Sequence, residues 1–217
     1  MKLLDEAGYE PLGRLLDDDA CAELVAGYDD DDRYRSTVDM HRHRFGRGEY
    51  RYFRYPLPAV VDELRHALWP LLLPIAREWS DRLGRPAPWP DDLDAWLAEC
   101  HAAGQTRPTP LVLRYGPGDW NALHRDLYGD LVFPLHVVVG LDDGYEGGEL
   151  VLVEQRPRAQ SRATTVPLAR GHAVAITTRD RPIPSARGWS AAQVRHGVST
   201  IRSGHRHTLG LLFHDAR

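Results

Sequence analysis

The spacing of apolar positions changes near residue 108. Before that point it is mainly helical. Val60, Val61, Leu64, Leu68, Leu72, Ile75, Trp79 and Leu83 recur three and four residues apart, which predicts a helix from Pro58 to about Leu83. Pro70 and Pro74 fall inside it, and each removes an amide donor and crowds the preceding turn, so the helix is expected to kink or divide there. Residues 17–19 offer N-caps for a short helix carrying Cys21, Leu24 and Val25. After the turn-like stretch GRPAPWP, Asp91 is expected to cap a further helix with Leu93, Trp96 and Leu97 inward. Residues 36–40 and 49–55 look extended.

Beyond residue 108 the runs shorten. Residues 109–115, 131–141, 149–155, 163–168, 172–178, 192–201 and 205–213 are β-branched or alternating, and Gly, Pro, Asp or Ser clusters part them. Strands without intervening helices argue for a sandwich or barrel rather than a parallel α/β sheet. The expectation is an α+β chain forming one domain over 1–217. A mainly helical portion at 1–108 would pack on an antiparallel β core at 109–217.

Composition narrows the functional classes. The chain has 217 residues, 42% hydrophobic and 27% charged, enough for a sizeable core. A net charge of −4 removes the signature of a globally basic nucleic-acid binder. Locally the balance is uneven: residues 1–32 are acidic, residues 33–55 basic, and the rest neutral. In the basic segment Arg42, Arg44, Arg47, Arg51 and Arg54 interleave with Phe45, Tyr50, Tyr52, Phe53 and Tyr55. Guanidinium groups beside aromatic faces suit single-stranded or damaged DNA, through phosphate neutralisation and base stacking. The same alternation describes a strand whose arginines pair with the acidic segment, and both readings stand at this stage.

Cys21 and Cys100 lie far apart with no CxxC spacing, which excludes a disulfide framework and a thiolate zinc site. The start MKLLDEAGYE has no signal-peptide core, and the longest apolar run, 68–76, is about half a membrane span. A cytoplasmic protein without membrane contact is expected.

The candidate chemistry starts at His124-Arg125-Asp126. In an extended segment i and i+2 share a face, so imidazole and carboxylate can hold one metal, completed by a distant histidine as in non-haem Fe(II) sites. Alone the motif is weak; its surroundings strengthen it. Tyr115 and a Gly116-Pro117-Gly118 turn precede it, a Gly147-Gly148-Glu149 strand start follows, and then come His196 and Arg206-His207-Thr208. If a hairpin centres on Ser203, Arg206 lies opposite Thr200, on the face of His196, and Arg206 and Thr208 project inward beside the metal. A guanidinium and a hydroxyl there suit the far carboxylate of a 2-oxo diacid. His66 and His101 fall in helical stretches, His172 has Pro182 at the position where His196 has Arg206, the same count from His207 reaches the last residue with no strand left, and His136 reads as a core or supporting histidine.

The order Tyr115, His124-x-Asp126, Gly147-Gly148-Glu149, His196, Arg206-x-Thr208 resembles the Fe(II)/2-oxoglutarate-dependent dioxygenases. The RxT spacing looks most like their prolyl-hydroxylase branch. The YxPG ahead of HxD is similar to the AlkB-type demethylases, although Leu113 stands where those carry an Asn. Longer stretches, among them HAAGQTRPTPLVLRYGPGDWNALHRDLYGDLVFPL and RHGVSTIRSGHRHTLGLLFHDA, resemble a prokaryotic family of such oxygenases described as acting on damaged, alkylated DNA. The resemblance implies a double-stranded β-helix (jelly-roll, cupin-like) core. It implies Fe(II) on His124, Asp126 and His196, and 2-oxoglutarate on Arg206 and Thr208 with Tyr115. O2 is the co-substrate, and the product is a hydroxylated C–H. The substrate is then an alkylated nucleic-acid base or, alternatively, a protein side chain or small molecule. A metal-binding module without 2-oxoglutarate chemistry would not need Arg206 and Thr208 in register.

Overall fold

The computed structural model describes residues 2–156 and 158–217. Ahead of residue 109 come helices α1 (Lys2–Ala7), α2 (Asp18–Ala26), α3 (Ala59–Arg82) and α4 (Leu93–Ala102). Strands β1 (Tyr9–Arg14), β2 (Tyr34–Asp39), β3 (Gly46–Arg47) and β4 (Glu49–Phe53) lie among them. The remainder is β5 (Leu111–Tyr115), β6 (Trp120–His124), β7 (Leu135–Gly140), β8 (Glu146–Gly147), β9 (Leu150–Gln155) and β10 (Arg162–Val166). Then follow β11 (His172–Thr177), β12 (Asp180–Ser185), β13 (Gly188–Val198), β14 (Ile201–Ser203) and β15 (Arg206–Leu211).

Two antiparallel sheets carry the site. The larger runs β1-β11-β7-β15-β5-β4-β2, and the smaller runs β10-β9-β13-β6-β3, with β12 paired to β13. Side-chain alternation gives the larger sheet two working faces. Val112, Val137, Val139, Leu209 and Leu211 point outward into an apolar cluster with Trp69, Leu72, Leu73, Trp79 and Trp96 of α3 and α4. The intervening residues, including His136, Val138, Thr208 and Gly210, face the smaller sheet across a cavity. Trp69 packs on Phe133 in a tilted arrangement with ring centroids 4.6 Å apart, and Trp96 Nε1 donates to the Phe213 carbonyl at 2.7 Å. Full burial of side chains such as Leu72 or Phe213 stabilises by about 1.5–3 kcal/mol each.

Several sequence expectations need correction. Helix α3 is not divided: it runs unbroken through Pro70 and Pro74. Both prolines lie on its exposed face, so the carbonyls they leave unbonded face water, while Leu68, Trp69, Leu72 and Leu73 anchor the opposite face. The cap of α4 is Asp92, whose carboxylate accepts from Ala95 N at 2.9 Å. Asp91 instead holds Arg77 at 2.7 Å and accepts Trp69 Nε1 on its carbonyl.

The portion before residue 109 is also less purely helical than its pattern suggests. β1 and β2 are the two outermost strands of the larger sheet, so that sheet runs across the expected 108/109 boundary. β1 and β12 escaped the pattern because YEPLGR and DRPIPS carry prolines, which edge positions tolerate since one side of the strand needs no ladder bond. Among the described residues no helix is long and apolar enough to cross a membrane.

Candidate active site

His196 and His124 are direct cross-strand partners in the β13–β6 pair, so their side chains leave the sheet on one face with ring centroids 4.3 Å apart. Asp126 follows two residues past the end of β6, and its carboxylate reaches both rings. Oδ1 is 3.4 Å from His124 Nε2 and Oδ2 is 3.3 Å from His196 Nε2. One ligand atom from each of the three lies within 4.8 Å of the others, a set that can hold a metal ion. His124 Nδ1 lies 2.7 Å from the Ala122 carbonyl, which fixes the ring and leaves Nε2 as the free lone pair aimed at the centre. Two imidazole nitrogens and one carboxylate oxygen are the donor set that suits ferrous iron, so the residues present fit that ion.

Electrostatics bind the three together. Burial alone would raise the Asp126 carboxyl, but His196 and His124 hold it well below the usual carboxylate range. Burial also opposes charge on His124, yet the hydrogen bond to Asp126 and that carboxylate's charge win and raise its pKa. Burial and the neighbouring His124 push His196 down.

The triad opens onto a cavity of about 370 Å³ between the two sheets. Arg206 and Thr208 border it from β15, together with Val138 of β7 and Leu150 of β9. Arg206 is 1% exposed, its Nη1 lies 3.5 Å from Thr208 Oγ1, and its buried Nε has no partner. A buried guanidinium with an unpaired donor can accept a carboxylate partner.

The route by which Arg206 arrives there differs from the expected hairpin. β13 and β15 do not pair; they belong to different sheets, and β14 between them pairs with β8. Arg206 and His196 meet across the cavity, not side by side in one sheet. Gly148 makes room for this crossing. Its φ is +66°, and a Cβ there would lie 2.2 Å from Ile201 Cδ1 and 2.9 Å from Arg206 Cδ.

Tyr115 stands opposite Arg206 in the β15–β5 register and is fully buried, with the guanidinium carbon 5.6 Å from its ring centroid. Its hydroxyl accepts from Asn121 Nδ2 at 3.2 Å, and it is not among the residues bordering the cavity. Two neighbours touch the triad: Tyr128, which escaped the sequence reading, and His136, which it read as a core or supporting histidine. The Tyr128 hydroxyl donates to Asp126 Oδ1 at 2.9 Å, and His136 Nδ1 lies 3.3 Å from Asp126 Oδ2. Burial pushes His136 down to about 3. Nothing in the spacing marked Tyr128, whereas His136, an imidazole in an apolar strand, was a visible oddity.

The basic segment is largely engaged within the chain. Arg51 pairs with Asp31 at 2.7 Å, Arg33 with Asp30 at 3.4 Å, Arg54 donates to the Asp32 carbonyl, and Arg35 lies over Tyr52. Arg44 and Phe45 instead border the cavity with Leu123 and Arg125, and Phe45 is 49% exposed.

Residues 48–216 match the model of a family described as an oxygenase catalysing oxidative methylation of damaged DNA. Two Mycobacterium tuberculosis proteins described as uncharacterized, Rv2227 and MT2286, are 64% identical over 167 residues, 76% of this chain and 72% of each of them. Among solved structures, a Pseudomonas putida prolyl-4-hydroxylase is similar with a TM-score of 0.54 and 16% identity, over 100% of this chain and 96% of the other. A 2OG-Fe(II) oxygenase family oxidoreductase from Burkholderia pseudomallei gives 0.52 and 16%, over 99% and 90%. A Trichoplax adhaerens prolyl hydroxylase, in complex with a hypoxia inducible factor peptide fragment, gives 0.53 and 12%, over 97% and 85%. At these identities the structural likeness speaks for the fold.

Proposed function

The chain belongs to this oxygenase family, and we propose that it is an Fe(II)- and 2-oxoglutarate-dependent dioxygenase that hydroxylates the alkyl carbon of a damaged, unpaired nucleic-acid base. The observation that carries the substrate reading is Arg44 and Phe45 on the wall of the cavity that holds the triad. An aromatic face and a guanidinium where the cavity meets solvent can stack an extruded base and neutralise its phosphate. Much of the rest of the basic segment is engaged within the chain, Arg47 with Asp119 included, so contact with DNA narrows to Arg44, Phe45 and Arg125.

In this reading the two facing sheets form a double-stranded β-helix around the centre. His124, Asp126 and His196 hold the iron. Arg206 forks onto the far carboxylate of 2-oxoglutarate, Thr208 adds a hydroxyl, and Tyr115 supports the guanidinium from beneath. When bound, iron and 2-oxoglutarate let O2 place one oxygen atom in succinate, released with CO2, and the other in a substrate C–H bond. On an N-methyl carbon the resulting alcohol loses formaldehyde and restores the base. The protein's own contribution is positioning: apolar walls from Val138, Leu150 and Val198 keep water from the centre, and Arg206 fixes which end of the diacid faces the metal.

The test is succinate formation by the Fe(II)-loaded protein given 2-oxoglutarate and O2, with methylated or unmethylated single-stranded oligonucleotides and a His196→Ala control. Succinate and formaldehyde that rise only with the methylated strand are the expected result. A His196-dependent rate indifferent to both strands would remove nucleic acid as the substrate and leave the dioxygenase.

A further inference from the structure

His136 is a fourth titratable side chain at the centre, and the triad does not use it. It lies on the inner face of β7, 3% exposed, with its ring centroid 4.9 Å from that of His196. Its Nδ1 is 3.3 Å from Asp126 Oδ2, is buried, and has no hydrogen-bond partner. A buried polar nitrogen left unpaired is costly, so a strand that keeps one facing a carboxylate needs a reason. His136 is also outside the set of donor atoms that converge within 4.8 Å of one another, which places it beside the ligand set.

The other oxygen of the same carboxylate is already held, because the Tyr128 hydroxyl donates to Asp126 Oδ1 at 2.9 Å. Asp126 itself stands beyond the end of β6, where no ladder bond fixes its backbone. A carboxylate on a loop is free to turn about its side-chain torsions unless groups outside the metal sphere hold it.

We propose that His136 is a positioning residue for the metal ligand Asp126. With its proton on Nδ1 it donates to Oδ2 while Tyr128 donates to Oδ1. The two donors set the plane of the carboxylate so that its remaining lone pairs face the ring nitrogens of His124 and His196. The inference rests on the metal-centre reading above and adds a residue on β7 to a metal centre otherwise held by β6, the loop after it and β13.

Side-chain geometry offers a discriminating test. Asparagine places an amide donor near the position of Nδ1, glutamine places one near Nε2, and leucine places none. The metal-free full-length protein is titrated with Co(II), followed by visible absorption, as wild type and as His136→Asn, His136→Gln and His136→Leu. Outer partners of metal ligands are worth about 10–100-fold in affinity, so Gln and Leu are expected to lose that much while Asn stays within about threefold of wild type. Thermal unfolding of each metal-free variant reports whether it is folded. Should Leu fail to fold, the Asn-against-Gln comparison decides, since both are primary amides that differ by one methylene and place the donor at different ring positions. Three variants that bind Co(II) alike, whether as tightly as wild type or equally weakly, would overturn the proposal. A wild-type protein that takes up no Co(II) would overturn the metal-centre reading as well, and that outcome is distinct from the first.

Discussion

Arg206 is the most exacting residue of the proposed site, because it is the one assigned to the far carboxylate of the diacid. It is a buried cation between the rings of Tyr115 and Tyr145, with a donor left unpaired. Replacing it with alanine removes a charge-assisted bond worth about 1.5–3 kcal/mol, which predicts a rise of roughly 10–150-fold in the KM for 2-oxoglutarate. Lysine should recover only part of this, because a point charge cannot reproduce the guanidinium fork. Steady-state succinate assays against 2-oxoglutarate concentration check both, and an unchanged KM in Arg206→Ala would place the diacid elsewhere. Much at this scale was legible in the sequence. His124, Asp126, His196, Arg206 and Thr208 were singled out by order and spacing, and they border one cavity. Tyr128 was not, since a tyrosine beyond an HxD motif has no spacing that distinguishes an orienting hydroxyl from a packed ring.

Secondary-structure elements were legible where the determinants are local and obscure where pairing is distant. The apolar stripe of α3 and the alternation of β5, β7, β9 and β11 follow from neighbours along the chain. The partnership of β13 and β15 does not. Gly204 and the short spacing invite a hairpin, but Ile201–Ser203 pairs with Glu146–Gly147 more than fifty residues away and carries the chain from one sheet to the other. At the junction of α3 and α4, His66 bridges the helices. Its Nδ1 faces the Asp62 carbonyl at 2.9 Å and its Nε2 the Asp94 carboxylate at 3.0 Å. Burial opposes the charge, but these two acceptors raise its pKa above the ordinary value. A histidine whose folded pKa is raised stabilises fully below its unfolded value of about 6.5, and that contribution is lost as pH rises through the folded value. The stability gap between wild type and His66→Asn should therefore be wider at low pH than at high pH. Unfolding midpoints at pH 5.5 and 8.5 test this, and an equal gap at both would remove His66 as the source.

For the whole molecule, the centre ties the smaller sheet to the loop after β6, so a bound metal links segments far apart in sequence. A ligand that binds only the folded state at 100 times its Kd stabilises by about 2.7 kcal/mol. For a chain of this size each kcal/mol moves Tm by about 2–4 °C, so a divalent metal in that excess should raise Tm by roughly 5–10 °C, and a chelator should reverse it. Calorimetry of wild type beside Asp126→Ala measures the effect, and a shift that survives in the variant would come from some other site.

The larger sheet is bordered on one side by β1 and on the other by β2, both made from the first forty residues. All six residues expected at the site lie after residue 109, yet a chain cut down to that stretch would bare β11 on one flank and β5 on the other. Unpaired flanks of this kind recruit foreign strands. During synthesis the same geometry imposes a wait: β1 leaves the ribosome long before its partner β11 exists, so the earliest strand is among the last to be paired.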